Sequence, residues 1–203
     1  MFLRILATVS CAAALAVPTA AEADAATLTH RTGALVYFCE LFPGLSPQPA
    51  TVEARFDAPD SVPSGTTVTP AGVGGVLRFD VGPHAIMTAY GYDGFRGSAN
   101  LGLTAAGATL SGPSATGLTV PETIYPAGGA IEVPFAQSAS SVVPSLTAGA
   151  PGSATVSLAT TAAFPLEYHK KANGEWTPWT MRCTLKVTNP AQNTAFSPAI
   201  PVT

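Results

Sequence analysis

A mainly-β, sandwich-like domain with one short helix is the fold class this sequence predicts, and three observations predict it. Apolar and polar residues alternate with period two in successive runs. Pro and Gly break those runs at short intervals. Two cysteines, Cys39 and Cys183, fall on the apolar phases of an early run and a late one. Gly and Pro number 19 each in 203 residues, below the roughly 25–30% at which a chain reads as low-complexity. With 47% hydrophobic residues a packed core is feasible.

The chain begins MFLRILATVSCAAALAVPTAAEADAA. Arg4, the apolar run 5–17, Pro18 and the small residues after it have the layout of a secretory signal. Residues 1–26 are therefore expected to be removed, with cleavage after Ala23, Ala25 or Ala26, leaving 27–203 as a single domain. The apolar run is too short to cross about 30 Å of hydrocarbon, and no later stretch is apolar enough to span. Cys11 lies inside the apolar run with no Leu three residues before it, so a lipoprotein anchor is not expected. The expected location is outside the cell.

The first strand is read at 34–42, ALVYFCELF, with Leu35, Tyr37, Cys39 and Leu41 on one face. ATVEARFDA sets Val52, Ala54 and Phe56 against Glu53, Arg55 and Asp57, the pattern of a half-buried antiparallel strand. The turn DAPDSVPSG ends it. GVLRFDV sends Leu77, Phe79 and Val81 inward and Arg78 and Asp80 outward. PHAIMTAY, 83–90, is the one helical candidate: Pro83 suits the first position, Ile86 and Tyr90 are four apart, and Gly91 can cap it.

From 97 to 163 the predicted strands are SANLGL, TGLTV, AIEVPF and SATVSLA, whose small residues leave register weakly specified. In TPWTMRCTLKV, Trp179, Met181, Cys183, Leu185 and Val187 share one face; Thr180, Arg182, Thr184, Lys186 and Thr188 share the other. Asn189-Pro190 stops this strand, and AFSPAIPV supplies an edge segment that tolerates its prolines. Neither repeat nor linker interrupts the series, which reads as an immunoglobulin-like or related β-sandwich.

An even pair of cysteines in an exported chain reads as a disulfide. Cys39 and Cys183 both face the interior, which favours joining the terminal strands. Two buried free thiols are the alternative; a reactive pair would want a C-x-x-C spacing that is absent. Charged residues make up 10% of the chain, against about 25% in typical domains. No basic footprint for nucleic acid exists.

Catalytic arrangements are sparse. H-E-x-x-H, G-x-G-x-x-G, P-loop and acidic calcium-loop patterns are absent, and neither cofactor nor metal is expected. Ser114 sits in GPSATG, one residue too long for a nucleophile elbow and with no helix after it. His30, His84 and His169 are the histidines, and Asp80/His84 and Glu167/His169 the nearest acid pairs. Asp80 and His84 would meet at the start of the helix; His169 leads into a Lys170-Lys171, Asn173-Gly174 hairpin tip. Asp57 and Asp60 flank Pro59 and read as turn formers.

The aromatics Tyr168, Trp176 and Trp179 gather around that tip. Trp179 is in phase with Met181 and reads as core, whereas Trp176 and Tyr168 are the candidate ligand-binding pair. Tyr90, Tyr92 and Phe95 read as helix-to-core packing.

Four segments carry a resemblance. LVYFCELFPGLSPQPATVEARFDAPDSVPSG runs Tyr-x-Cys, a Pro-Gly turn, Gln-Pro, an alternating strand and a Pro and Gly turn. FRGSANLGL, TAGAPGSATVSLA and MRCTLKVTNPAQNTAFSPAIPV follow in order. Together they resemble a family of secreted actinobacterial β-rich domains of unknown function, over nearly all of the mature chain. The departures are residues 186–190, where the family has an acidic-Pro-Gly turn, and a longer, more aromatic HKKANGEWTPWTMR. The resemblance implies an extracellular β domain with a Cys39–Cys183 bridge and no established activity.

The expected function is a secreted, non-catalytic structural or binding module of the cell envelope or medium. Its expected partners are cell-wall polysaccharide or an envelope protein. The alternatives are a carbohydrate-binding module using exposed aromatics and an extracellular hydrolase with an unrecognised site.

Overall fold

The computed structural model describes residues 26–203; the signal-peptide expectation and Cys11 lie outside them. The chain opens with β1 (Thr27–Arg31), β2 (Leu35–Cys39), β3 (Gln48–Pro59), β4 (Thr67–Val68) and β5 (Ala71–Phe79). Helix α1 (Val81–Ala89) leads to β6 (Tyr92–Ala106), β7 (Ala108–Leu110), β8 (Ser114–Ile124) and β9 (Ile131–Ala136). β10 (Leu146–Ala148), β11 (Gly152–Lys170), β12 (Trp176–Leu185) and β13 (Ile200–Val202) complete it.

The mainly-β, sandwich-like class is what the structure shows, and the strand path explains how its layers are joined. Hydrogen bonding runs β3–β2–β12–β11–β6–β8–β9–β5, and β5 pairs β3 again. The sheet thus returns on itself, which removes most of the free edges that would otherwise invite pairing with another chain. β12, β11, β6 and β8 make a front layer; β2, β3, β5 and β9 make a back layer. Phe135 on β9 meets Phe164 on β11 between them, ring centroids 6.1 Å apart. The small sheet β4–β10–β7 covers one end, with Leu146 1% exposed. α1 covers the other, burying Pro83, His84 and Met87.

The predicted inward residues of β2 and β3 are buried as alternation requires. In β12 Met181 and Cys183 are buried and Trp179 and Leu185 half-buried, whereas Val187, expected on the same face, lies past the end of the strand and is 95% exposed. The long strands bend at defined places. At Gly97 (φ +145°) a Cβ would stand 2.3 Å from the Pro165 carbonyl oxygen, so only glycine lets β6 lie this close to β11. β11 bulges between Leu158 and Ala162, and the buried Tyr37 hydroxyl donates to the Ala159 carbonyl at 3.0 Å.

Some expectations are corrected. Val81 is not an inward strand residue; it starts α1 and is 61% exposed. The helix begins two residues before Pro83, and its buried stripe is Pro83–His84–Met87, not Ile86–Tyr90. Tyr90 is exposed, its ring stacked on Phe42. β1 precedes the strand read as first, and its one buried side chain is His30. β11 runs on through AFPLEYHK, which period two alone could have found.

Cys39 and Cys183 are bonded (S–S 2.09 Å) and are direct register partners of β2 and β12. That joint is only three residue pairs long. Beyond it Gln192 takes over from a strand. Its amide oxygen accepts from Val36 N–H at 2.8 Å, and its amide nitrogen donates to the Val36 and Lys186 carbonyls.

Three outcomes follow for stability. The Cys39→Ala/Cys183→Ala double variant, which opens a loop of 144 residues, loses on the order of 2–5 kcal/mol in denaturant titration. Gln192→Ala strands the Val36 N–H and costs on the order of 1–3 kcal/mol by the same measurement. The third concerns pH. Burial pushes the Tyr37 phenol up to about 12 and raises Tyr125 and Tyr168 as well. A raised folded-state value favours the neutral form, so this stabilisation is complete below the unfolded tyrosine value of about 10 and is lost as pH climbs past it. Melting temperature should fall above about pH 10 together with the rise of tyrosinate absorbance.

Candidate functional site

The outer face of the front layer carries Trp176 and His169 of the residues the sequence singles out. At its α1 end Ile124, Gly94, His169 and Trp176 are successive register partners across β8, β6, β11 and β12. Trp176 is the first residue of β12 and points outward, half-buried. It thus lies within β12, whereas the predicted strand TPWTMRCTLKV begins one residue later, at Thr177. The Arg96 guanidinium lies 4.1 Å from its ring centroid. The His169 ring is 4.8 Å away at 50°. Arg96 is fixed from β6 by Glu167 at 2.7 Å and Glu122 at 3.6 Å.

Tyr168 is on the other side of the sheet. It is 2% exposed, packed among Phe42, Tyr92 and Phe95, with its hydroxyl directed at the Met181 sulfur. Adjacent residues of a strand point to opposite faces, so Tyr168 and His169 part company and Tyr168 forms no surface with Trp176. Trp179 is core-facing, and its indole N–H donates to the Glu40 carbonyl at 2.9 Å.

The histidines are placed differently from their sequence neighbours. His169 pairs through Nδ1 with Asp93, a partner 76 residues away in sequence, while Glu167 turns to Arg96. His84 meets the Gly129 carbonyl through Nδ1 at 2.8 Å, and Asp80 goes to Arg78. His169 thus has a carboxylate, but among the described residues no hydroxyl bonds to it. Ser114 sits eight β11 positions away, beside Thr161, about 25 Å along the strand. Asp57 accepts from Thr29 and Asp60 from Ser61, so both act locally.

At the far end of the same face the sheet opens into a trough of about 470 Å³. Its floor is Gly102, Ala163 and the backbone of Ala162 and Cys183; Ser114, Thr161, Thr184, Arg182, Asn100 and Glu40 surround it. Asn100 is tied through Oδ1 to Gly117 N–H. The Ser114, Thr161 and Thr184 hydroxyls, the Arg182 guanidinium and the Glu40 carboxylate make no side-chain hydrogen bond among the described residues. Outward phase was legible for Arg182 and Thr184; their convergence with Ser114 and Glu40 was not, because it depends on which strands lie side by side. The arrangement offers neutral donors and acceptors plus one charge of each sign. It can hold a polar ligand by hydrogen bonds, on a floor that the disulfide stiffens from behind.

No helix among the described residues is long and apolar enough to cross a membrane. No group of three or more His, Cys, Asp or Glu among them is placed to hold a metal ion. No curated protein matches the chain. A Corynebacterium diphtheriae crystal structure described as a putative membrane anchored protein is similar at 16% identity and a TM-score of 0.42. The likeness covers 88% of this chain and 38% of that one, so this chain spans well under half of that protein's length. Residues 36–197 match the model of a family of unknown function, DUF6801, and the chain belongs to that family.

Proposed function

We propose that the protein is a secreted, non-catalytic module of the cell envelope or its surroundings that binds a neutral, hydroxyl-rich chain such as cell-wall polysaccharide. The observation that carries this reading is the trough around Ser114, Thr161, Arg182 and Thr184, whose polar side chains are unengaged and which lies on the β11–β12 ladder beside the β11 bulge. A disulfide between directly paired strands is consistent with an oxidising compartment. Sugar stacking on Trp176 is less well supported. Arg96 already lies over that ring, His169 is tilted beside it, and Tyr168 is buried.

The test is retention of the exported protein on purified cell-wall polysaccharide, compared with Thr184→Trp, which fills the trough, and Trp176→Ala. The expected result is retention by the parent, at least about a tenfold loss in Thr184→Trp (about 1.4 kcal/mol) and little change in Trp176→Ala. Absence of retention by the parent, or retention untouched by Thr184→Trp, would overturn the reading. Loss in Trp176→Ala alone would move the site to the hairpin end.

A further inference from the structure

We propose that Arg31 and Arg55 form a site for a single oxyanion, a phosphate or carboxylate group, on the back layer and across the molecule from the trough. Arg31 on β1 and Arg55 on β3 are direct register partners. Like charges facing each other across an antiparallel pair repel. Among the described residues no carboxylate lies within 4.0 Å of either guanidinium, whereas Arg78 and Arg96 each have two acidic partners. Nine Lys and Arg serve the whole chain, and two of them stand opposite one another here with no counter-charge within that distance.

The two side chains line one pocket of about 90 Å³ with Thr32, Glu53, Gly75 and Val76. The hollow is about a fifth of the trough, about 90 against about 470 Å³, which favours a single oxyanion over a sugar ring. Thr32 adds a third donor. It is 8% exposed, its Oγ1 already accepts from Ala54 N–H at 3.0 Å, and its hydroxyl proton is left over. Arg31 is held on both sides, pairing β3 and exchanging backbone hydrogen bonds of 2.9 and 2.8 Å with Ser197. Two forked guanidinium groups and a hydroxyl on fixed backbone match the bidentate geometry of an oxyanion. The carboxylates on the same face of β3 set its selectivity. Asp57 is engaged by Thr29, and Glu53 at the pocket wall repels a second negative group while accepting from a ligand O–H or N–H.

The oxyanion can be free or be carried by a lipid headgroup, and the test separates these. At low ionic strength, where surface charge is least screened, inorganic phosphate is titrated while the arginine Nε–H resonances are followed by NMR. The expected result is a saturable shift of the Arg31 and Arg55 resonances, absent with chloride at matched ionic strength. Affinity should fall about tenfold or more in Arg55→Gln and in Arg31→Gln. In phosphate-free buffer both variants should melt at or above the parent temperature, because each removes a repulsion.

Binding to phosphatidylglycerol vesicles that inorganic phosphate displaces would also support the site, with the headgroup as source. Vesicle binding that phosphate does not displace would overturn it. So would a phosphate response retained in Arg55→Gln, or glutamine variants that melt lower without phosphate.

Discussion

Eight strands can close into one sheet only if every neighbouring pair holds. Two joints are short, β8 against β9 with one register pair and β2 against β12 with three, and the one that spans the chain is β2 against β12. It brings together segments separated by 144 residues and consists of three residue pairs, where β11 and β12, joined by a hairpin, share nine. A short joint between distant segments bears the full loop-closure entropy with few hydrogen bonds to offset it. The bond between Cys39 and Cys183 sits on the first of those three pairs, Trp179 ties β12 to the Glu40 carbonyl just before it, and Gln192 extends the joint past its last. Covalent, indole and amide contacts thus compensate for what the backbone ladder is too short to supply.

The same economy recurs wherever a strand ends. In a chain that is 10% charged, polar side chains inside the body finish backbone bonding that the ladders leave open. Tyr37 serves the bulge at Ala159, Thr32 serves Ala54, His84 serves Gly129 and His30 serves Pro198. Because His30 and His84 face carbonyls through Nδ1, that nitrogen carries the proton in each. His30 stacks flat on Phe56, and its Nε2 is the one buried side-chain polar atom without a partner among the described residues. Two of the three histidines are therefore scaffold.

How much of this could be read beforehand follows from the range of each interaction. Alternation is local, so β2, β3, β5 and β12 and their buried faces were evident, as was the inward aim of both cysteines. β1 was not, because TLTHR offers a single apolar residue and hides its inward position in a histidine. The helix was found but misphased: Val81 follows a strand in phase with it, and only tertiary packing under Met87 and His84 decides that the strand has ended. The site was harder still. Trp176 was singled out, yet its partners Arg96 and His169 come from β6 and β11, and Asp93 lies 76 residues from the histidine it fixes. Tyr168 shows the limit most plainly. Counting along the strand from Met181 orients Trp179, but a residue on the opposite arm of the hairpin takes its face from the pairing, and Leu166↔Trp179 puts even-numbered β11 residues inside.

A closed sheet also has a consequence for where ligands can bind. Inner faces are consumed by the core, so recognition has to use outer faces or ends, and the two outer faces differ in chemistry. The front presents hydroxyls over glycine and alanine, with Arg182 and Glu40 as its charges. The back presents Arg31, Arg55, Glu53, Arg78 and Glu132 within two adjoining hollows. Neutral hydrogen-bonding groups on a rigid floor tolerate salt, whereas exposed guanidinium groups act through fields that salt screens within about 10 Å. Under the two proposed readings, a contact made by the front hydroxyls is less sensitive to salt than one made by the back arginines. The shared rigid body, and in particular the stapled joint behind the trough, is what lets both faces hold their shape at once.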